Sequence, residues 1–360
     1  MMSWLENETE DAMELNDETG EQELFEHFRF VVDRGQTPLR IDKFLFDRIQ
    51  HVSRNRIQEA AAAGAVLVNG QEVKANYRVK PGEVITIVMT YPPHEVIITP
   101  EPIPLHIVFE DADLMVINKP AGLVVHPGHG NYHGTLLNAL AFYFKDDPSF
   151  NVNDPRLGLV HRIDKDTSGL LVIAKNEHAK TKLAEQFFFK TTKRLYQALL
   201  WGVPDPSEGT IEGHIGRSLK DRLVMTVYPE GEHGKTAVTH YRVLESLGYV
   251  SLVECRLETG RTHQIRAHMK YIGHPLFNDE RYGGHEILRG TPFAKYKQFV
   301  HHCFEICPRQ ALHAKTLGFV HPRTGEMLYF DSELPEDMQR LLERWRGYIA
   351  SREEIRTSTN

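Results

Sequence analysis

The sequence lacks any run of about 20 consecutive apolar residues, the length that a membrane-spanning helix needs. Its first residues, "MMSWLE", lack the basic and apolar regions of a secretory signal peptide. Cysteine is scarce, since three cysteines among 360 residues are too few for a disulfide framework. We therefore expect a cytoplasmic protein in a reducing compartment, without a membrane partner.

Lysine and arginine are absent from the first 26 residues, which contain ten acidic residues. This segment accounts for the formal net charge of −7, because the rest of the chain holds 39 acidic against 42 basic residues. Acidic segments with few apolar residues stay unfolded because they cannot bury enough apolar surface. The sequence therefore predicts an acidic, disordered segment over 1–35 and a mildly basic remainder.

A small unit of helices followed by strands is predicted over 36–90. The stretches "TPLRIDKFLFDRI" and "SRNRIQEAAAAG" are typical of two helices, with Thr37 and Ser53 as their N-caps. The Asn-Gly pair at 69–70 then predicts a two-residue hairpin turn between short strands. Ahead of this unit, "FRFVVDRG" has the pattern of one further short strand.

Five prolines between Tyr91 and Leu105 predict an extended linker over 91–105, because proline stiffens the chain and removes backbone donors. Beyond it, short strand-like runs such as "LMVINK", "GLLVIAK" and "YVSLVECRL" alternate with three helical patterns. The helices are predicted at 177–190, 262–272 and 335–347. The pattern predicts an α+β fold on a mixed, mainly antiparallel sheet over 106–340, followed by a C-terminal helix or tail over 341–360.

The stretch "GLVHRIDKDTSG" places many ionisable groups between two apolar runs. Its central Asp164 is flanked by Arg162 and Lys165, whose charges favour an ionised carboxylate. A positioned carboxylate acts as a nucleophile, a general base or a metal ligand. The alternative is a capped turn, in which the polar residues at 166–168 bond nearby backbone. The spacing alone leaves both interpretations open.

A second polar stretch, "LETGRTHQIRAHM", follows an alternating strand and opens a helix, with Thr262 as the predicted N-cap. His263 and Arg266 share one helix face at i, i+3. Arg261 beside the helix N-terminus suits an anion, either a phosphate or a carboxylate. The alternative is an exposed helix with ordinary salt bridges.

Three weaker patterns carry less information. Tyr196 begins a strand, where tyrosine usually serves packing. Cys303 and Cys307 are spaced i, i+4 and lack the paired framework of a zinc site, so no metal is predicted. Ser168 lies outside a G-x-S-x-G elbow, which argues against a serine hydrolase that uses His161.

Several motifs together resemble the RluA family of pseudouridine synthases, in the order and spacing of that family. They are "HRIDKDTSGLLVIAK", "KRLYQALLWG", "GKTAVTHYRVL", "ETGRTHQIRAHM", "GHPLFNDERYG" and "ALHAKTLGFVHPRTGE". The N-terminal unit resembles an S4 RNA-binding domain through "RIDKFL", "SRNRIQ" and "GAVLVNG". The resemblance covers about 36–335 and is closest to RluD-type members, which act on large-subunit ribosomal RNA.

The resemblance implies isomerisation of uridine to pseudouridine, a pseudouridine synthase fold and no cofactor. Asp164 matches the essential aspartate of the family, and Arg162 matches the residue that helps displace the target base. Tyr196 matches the tyrosine that packs on the uracil and assists the final deprotonation. Arg266 matches the arginine that pairs with the aspartate. Leu312, or an apolar neighbour in "ALHAK", matches the apolar wall of the pocket.

The remaining expectations concern binding. The substrate is expected to contact His161, Arg261 and His263. The expected partner is ribosomal RNA of the large subunit or its assembly precursor, bound by a monomer. In the S4-like unit, five residues are expected to contact RNA: Arg40, Lys43, Ser53, Arg54 and Arg56.

Two rival functions fit parts of the same pattern. An inactive RNA-binding or ribosome-assembly protein is disfavoured by the intact set of Asp164, Tyr196 and Arg266. A glycosidase that uses Asp164 with Asp166 is disfavoured because its carboxylates must straddle the bond from opposite sides. Ile163 replaces a commoner leucine without changing the side-chain volume. The chemical role of Asp164 stays open between attack on the ribose C1′, attack on the uracil ring, and assistance in loss of a ribose proton.

Overall fold

The computed structural model describes residues 25–49, 52–89, 98–127, 131–147, 158–221 and 224–358. These residues fall into two compact units, whose described parts lie within 1–98 with 127–132 and within 99–126 with 133–360. The predicted disordered segment lies outside the described residues as far as residue 24. None of the described helices is long and apolar enough to cross a membrane.

The described part of the N-terminal unit contains two small sheets and two helices. One sheet has the strand order β1-β6-β3-β4, and β2 pairs with β5 in a separate ribbon. The elements are β1 (Phe25–Val31), β2 (Leu39–Arg40), α1 (Ile41–Phe46), α2 (Arg54–Ala62), β3 (Val66–Val68), β4 (Gln71–Glu72), β5 (Arg78–Val79) and β6 (Val84–Met89).

Strand β1 corrects the prediction of disorder through residue 35. Phe25–Val31 pair antiparallel with β6, and the rings of Phe28 and Phe30 pack against the core of the unit. The pairing partner lies more than 50 residues further along the chain. The "FRFVVDRG" strand is therefore confirmed, and the folded unit begins before residue 36.

Of the two predicted helix N-caps in this unit, one is confirmed and one is wrong. The Ser53 side chain accepts a hydrogen bond from the Arg56 backbone N–H at 3.4 Å, which confirms the cap of α2. Thr37 does not cap α1, which begins at Ile41 with Arg40 at the N-cap. The intervening backbone is drawn into β2 by its pairing with β5, and this tertiary contact overrides the local capping signal.

The C-terminal unit is built on a ten-stranded sheet in the order β12-β11-β13-β14-β10-β15-β9-β8-β7, with β16 paired to β15. Only β9 and β15 are parallel among the described strand pairs, so the mixed, mainly antiparallel sheet is confirmed. The strands are β7 (Ile107–Glu110), β8 (Leu114–Lys119), β9 (Ser168–Ala174), β10 (Lys193–Trp201), β11 (Glu208–Arg217), β12 (Met225–Tyr228), β13 (Lys235–Ser246), β14 (Val250–Leu257), β15 (Leu312–Val320) and β16 (Met327–Asp331).

Five helices accompany this sheet in the part of the unit that the structure describes. They are α3 (Leu136–Tyr143), α4 (Glu177–Phe188), α5 (Gln264–Tyr271), α6 (Ala294–Ile306) and α7 (Glu336–Ser358). The three predicted helices correspond to α4, α5 and α7, whereas α3 and α6 were not predicted. Helix α7 packs Leu341, Leu342 and Trp345 into the core, so the predicted boundary at 340/341 falls inside a helix of this unit.

Helix α5 does not begin at the predicted N-cap. The N-cap is His263, in the left-handed region with φ +52°, and it makes no side-chain cap hydrogen bond. The Gln264 side-chain oxygen accepts hydrogen bonds from the Arg261 backbone N–H at 3.0 Å and the Thr259 hydroxyl at 2.7 Å. These bonds tighten the turn ahead of the helix, which moves the helix start beyond Thr262.

The Pro-rich segment is only partly described, and its described end is fastened to the C-terminal unit. The Asn138 side chain donates to the Thr99 carbonyl at 2.8 Å, and the Glu101 backbone N–H donates to the Asn138 carbonyl at 3.0 Å. The Glu101 carboxylate also accepts from the Gly134 backbone N–H at 3.0 Å. The linker predicted over 91–105 therefore belongs to this unit from residue 99 onward.

The parallel contact between β9 and β15 depends on a glycine. Gly169 has φ +121°, and a Cβ added there would lie 2.3 Å from the Ala314 carbonyl oxygen. Real Cβ atoms do not approach backbone so closely, so either strand would have to move. Only glycine allows the two central strands to meet at this point.

Replacing Gly169 by alanine is expected to lower the free energy of unfolding by at least about 3 kcal/mol, because overpacking and positive-φ strain add. Gly325→Ala is the matched control, since Gly325 has φ +74° and open space around its Cβ position. That change should cost only about 1–2 kcal/mol of strain. Chemical denaturation measures both, and equal losses would contradict the close-approach argument.

Candidate active site

A cavity of about 540 Å³ opens in the C-terminal unit where several chain segments converge. Its walls come from the loop before β9, the start of β10, the end of α4, and the turn between β14 and α5. Eight of the predicted site residues line it: His161, Arg162, Asp164, Tyr196, Arg261, His263, Arg266 and Leu312. Segments far apart in sequence therefore meet at one concave site.

The loop that carries the candidate aspartate is held by its own backbone carbonyls. The Lys165 carbonyl accepts hydrogen bonds from the Lys119 ammonium at 2.8 Å and from the Gly122 backbone N–H at 2.9 Å. The Asp166 carbonyl accepts from the Arg309 guanidinium at 3.0 Å. The "HRIDKDTSG" stretch is thus a hydrogen-bonded turn that also forms a wall of the cavity. The side-chain capping considered for 166–168 is not seen at Thr167 or Ser168: among the described residues the Thr167 hydroxyl has no hydrogen-bond partner, and the Ser168 hydroxyl lies against His313.

Lys119 was not identified from the sequence. It is 1% exposed, and its ammonium also donates to the carbonyls of Pro120 at 2.8 Å and Leu123 at 2.9 Å. Burial lowers the pKa of Lys119 to about 7. The ammonium ties two loops together by three carbonyl oxygens and positions the loop rather than lining the cavity.

Asp164 lies beside two basic side chains. Arg266 Nη1 donates to Asp164 Oδ2 at 3.1 Å, and His263 Nε2 lies 3.8 Å from the same oxygen. Burial acts to raise the pKa of Asp164, but His263 and Arg266 outweigh it and hold the pKa below its ordinary value. Burial lowers the pKa of His263 to about 4, so His263 is neutral at neutral pH and Arg266 supplies the lasting charge.

Arg266 is itself held by a second carboxylate, Asp279, which the sequence did not indicate. The Nε and Nη2 atoms of Arg266 donate to Asp279 at 2.7 and 2.9 Å, and Asp279 is fully buried. Burial opposes the charge of Arg266, yet Asp279 and Asp164 raise its pKa above the ordinary value. The guanidinium also lies 4.9 Å from the centre of the Tyr282 ring. The order Asp164–Arg266–Asp279 fixes the arginine and leaves one edge for the aspartate.

Tyr196 and Leu312 provide the less polar wall of the cavity. They are 8% and 4% exposed, and both line the cavity on neighbouring strands, β10 and β15. Burial raises the pKa of the Tyr196 phenol, so it stays protonated at neutral pH. The ring is placed as a flat apolar surface next to Asp164.

The other predicted substrate contacts differ in their exposure and in the hydrogen bonds that their side chains already make. Arg162 is exposed on the cavity wall. His161 accepts the Val172 backbone N–H at 3.0 Å, and its ring stacks on Phe187 at 4.3 Å. Burial lowers the pKa of His161 to about 3, which keeps the ring neutral. His161 therefore anchors the loop by packing. Arg261 donates from Nε to the Thr236 carbonyl at 3.0 Å.

Among the residues that line the cavity, Arg194 and Phe188 were missed, as was Phe189 beside Phe188. Arg194 is 8% exposed and its guanidinium lies 5.6 Å from the centre of the Phe187 ring. Phe188 and Phe189, at the end of α4, are 79% and 69% exposed and pack edge-to-face at 5.1 Å. Phe188 lines the cavity mouth. The sequence shows these phenylalanines as the run "FFF". It does not show that two of the rings are exposed to solvent.

In the N-terminal unit, the predicted RNA contacts Arg40 and Arg54 share one partner. Each donates two hydrogen bonds to the fully buried Asp42 carboxylate, at 2.9–3.1 Å. Burial acts to raise the pKa of Asp42, but the two arginines and Gln58 lower it to about 2. The arginine side chains remain about two-fifths exposed, whereas Lys43 is exposed without such a tether. Asp42 thus holds two cationic groups at the surface.

The other two predicted RNA contacts in this unit lie at the start of α2. Ser53 is exposed, but its hydroxyl serves as the helix cap. Arg56 is half-buried. The five predicted residues therefore cluster around α1 and the N-terminus of α2.

One cluster of metal-ligating side chains lies among the described residues. Asp111, Asp113 and His321 bring their ligand atoms within 4.8 Å of one another. His321 already lies 2.9 Å from the Asp111 carboxylate, and Arg323 donates two hydrogen bonds to Asp113. The carboxylates of this cluster are thus already engaged by His321 and Arg323. Cys303 lies in the apolar core, away from this cluster.

Ser168 pairs with His313 and not with His161, the partner that the serine-hydrolase interpretation would require. The Ser168 hydroxyl lies 2.9 Å from His313 Nδ1 rather than beside His161. Ser168 is 3% exposed and His313 is 1% exposed, and the second ring nitrogen of His313 lies 2.9 Å from the Ser332 hydroxyl. This buried chain links β9, β15 and the end of β16, and Ser168 is not presented to a substrate.

Comparison with known proteins identifies the family of this sequence. The family model for RNA pseudouridylate synthase matches residues 113–271, and that for the S4 domain matches 39–85. These matches confirm the resemblance found in the motifs.

Individual relatives span nearly the whole chain. An RNA pseudouridine synthase of Chlorobaculum parvum is 49% identical, covering 89% of this chain and 98% of the relative. Ribosomal large subunit pseudouridine synthase D of Zymomonas mobilis is 43% identical, covering 84% and 92%. The solved structure of human RNA pseudouridylate synthase domain containing 4 has a TM-score of 0.50 at 25% identity, covering 67% and 93%. The chain belongs to the RNA pseudouridylate synthase family of isomerases, with an S4 domain ahead of its synthase domain.

Proposed function

We propose that the chain converts uridines of large-subunit ribosomal RNA to pseudouridine, with Asp164 as the catalytic carboxylate. The observation that carries the proposal is the ionised Asp164, held by Arg266 in a cavity with an apolar wall. The substrate class is supported by the 42–43% identity to ribosomal large subunit pseudouridine synthases D of Zymomonas mobilis and Nitrosomonas europaea.

The reaction is an isomerisation and balances without a cofactor. The N1–C1′ bond of uridine breaks, the C5–C1′ bond forms, the C5 proton leaves and N1 gains a proton. The base must be flipped out of the RNA stack, at a cost of roughly a few kcal/mol, and must turn within the cavity without escaping. Asp164 acts on the ribose or the ring, while Tyr196 and Leu312 confine the uracil from the apolar side.

Arg162 is suited to occupying the space that the flipped base leaves, since it is exposed at the cavity wall next to Asp164. Tyr196 contributes its ring rather than a phenolate, because burial raises the pKa of its hydroxyl. A proton taken from C5 therefore passes to another group or to water. This assignment leaves the stacking function as the main role of the tyrosine.

In the N-terminal unit, Arg40, Lys43, Arg54 and Arg56 bind RNA phosphates, and Asp42 positions two of these cations. The backbone and the helix start at Ser53 contribute further donors. Contacts of this kind are electrostatic and independent of sequence, so affinity should fall as salt rises. The protein acts as a monomer in the cytoplasm, on free ribosomal RNA or its assembling particle.

Phe188 and Phe189 form a stacking platform at the cavity mouth. Bases of single-stranded RNA stack on exposed aromatic rings, at about 1–3 kcal/mol for each base. Phe188→Ala is expected to weaken binding of a substrate RNA about 5- to 100-fold with little change in the single-turnover rate at saturation. Filter binding and single-turnover kinetics separate the two effects.

Phe293→Ala is the matched control, because Phe293 is 70% exposed at the start of α6 but does not line the cavity. Its affinity should stay within about twofold of the parent protein, as expected for an isolated surface change. A loss of affinity equal to that of Phe188→Ala would show general surface effects and would remove the stacking role.

The substrate class is tested with unmodified transcripts of large- and small-subunit ribosomal RNA. After incubation with the protein, pseudouridine is mapped by carbodiimide-dependent stops of primer extension. We expect stops at discrete uridines of the large-subunit transcript and none in the small-subunit transcript. Stops confined to the small-subunit transcript, or none in either, would overturn the proposed function.

A further inference from the structure

Two buried arginines line the active-site cavity, and they differ in their charge partners. Arg266 is paired with Asp164 and Asp279, as described above. Arg194 is 8% exposed, but within the described part of the chain it pairs with no carboxylate and its Nε makes no hydrogen bond. Arg194 therefore holds an uncompensated positive charge inside the cavity.

The guanidinium of Arg194 is bounded by uncharged groups and faces the cavity. The Phe187 ring lies 5.6 Å from the guanidinium on one side. Nη1 approaches Gly260 so closely that a Cβ there would lie only 3.0 Å away. Tyr196 follows two residues later on the same face of β10, so the guanidinium sits beside the proposed base-stacking ring. Neither neighbour neutralises the guanidinium.

A buried cation without a partner is costly, and proteins retain one where a ligand supplies the opposite charge. The remaining cations at this cavity, Arg162, Lys190 and Arg261, are exposed or half-buried and are screened by water. RNA carries one anionic phosphodiester for each nucleotide. A uridine flipped towards Asp164 brings its flanking phosphodiesters with it, and a guanidinium binds two phosphate oxygens at once.

We infer that Arg194 forms an anion-binding subsite for a phosphodiester that flanks the flipped uridine. The inference rests on the proposed function and assigns to Arg194 the anchoring of the nucleotide backbone, distinct from the ion pair of Arg266. Removal of Arg194 should weaken capture of the flipped state, whereas the ionisation of Asp164 should not change.

The test uses short RNA substrates in which one linkage beside the target uridine is a neutral methylphosphonate, on the 5′ side or the 3′ side. A third substrate carries the neutral linkage about six nucleotides away as the control. The parent protein, Arg194→Gln, Arg194→Lys and Lys193→Gln are compared by affinity and single-turnover rate. Lys193→Gln is the matched variant, since Lys193 precedes Arg194 on β10 but is exposed and does not line the cavity.

One neutral flanking linkage is expected to lower the RNA affinity of the parent protein and of Lys193→Gln by about 10- to 100-fold. The same linkage should cost Arg194→Gln less than about threefold, because the interaction is already lost, and Arg194→Lys should show an intermediate cost. The remote linkage should have little effect on any of the four proteins.

The inference is overturned if neither flanking linkage affects the parent protein, a result that does not depend on the folding of any variant. It is also overturned if the sensitive linkage costs Arg194→Gln as much as the parent. In both cases, formation of pseudouridine from the unmodified RNA leaves the proposed function standing. Absence of product from every ribosomal substrate would overturn the proposed function and this inference together.

Discussion

Asparagine in place of Asp164 is expected to lower the single-turnover rate of pseudouridine formation by a factor of about 10⁴ or more. Asparagine keeps the shape of the side chain and an oxygen that accepts from Arg266, but it removes the negative charge. Affinity for the RNA should therefore change by less than about threefold, because the loss lies in the chemical step. Single-turnover kinetics at saturating protein measures the rate directly.

Asp166→Asn is the matched control for this change. Asp166 lies two residues further along the same loop, but its side chain does not line the cavity and the loop is held through its backbone carbonyl. Its rate should remain within a few-fold of the parent protein. If Asp164→Asn forms product as fast as the parent, the assignment of the catalytic carboxylate is wrong.

Replacing Arg266 by glutamine is expected to change both activity and its pH dependence. Burial acts to raise the pKa of Asp164, whereas His263 and Arg266 together hold that pKa below its ordinary value, so the parent protein should keep its activity on the acidic side. Without the guanidinium, burial raises that pKa, and the rate should fall at a higher pH as the carboxylate becomes protonated. The rate at neutral pH should drop about 10²- to 10³-fold, as for loss of a preorganised charged donor.

The same variant tests the buried pair with Asp279. Arg266→Gln leaves the fully buried Asp279 carboxylate unpaired, which should cost about 3–5 kcal/mol in the free energy of unfolding. The double variant Arg266→Gln with Asp279→Asn should recover part of that stability but none of the activity. Arg266→Lys retains the charge and should keep the acid limb near that of the parent. An unchanged pH profile in Arg266→Gln would contradict the proposed coupling.

The sequence predicts the local parts of the site well. The "HRIDKDTSG" loop and the neighbourhood of His263 and Arg266 are encoded in short stretches, and the structure brings both side chains to Asp164. The shared helix face predicted for His263 and Arg266 is wrong, because His263 is the left-handed N-cap of α5 and lies outside the helix. The class of fold follows from the alternation of short strands and helices. These features depend on neighbours within a few residues, which a linear pattern records.

The positioning groups could not be predicted in this way. Lys119 holds the carbonyl of Lys165, 46 residues further along, and Asp279 reaches Arg266 only after the chain turns beyond α5. Whether Arg194 would be paired depends on the register of β10 against its neighbours. Such contacts are set by strand order and register, which the residue pattern of a single chain does not specify.

Release of tritium from RNA labelled at C5 of uridine tests the central claim most directly, because the C5–H bond breaks only when C5 bonds to the ribose. Unmodified large-subunit ribosomal RNA is the substrate, with the parent protein and Asp164→Asn compared. We predict release of one tritium for each pseudouridine formed by the parent protein and no release above background by the variant. Equal release by the two proteins, or none by the parent, would contradict the account.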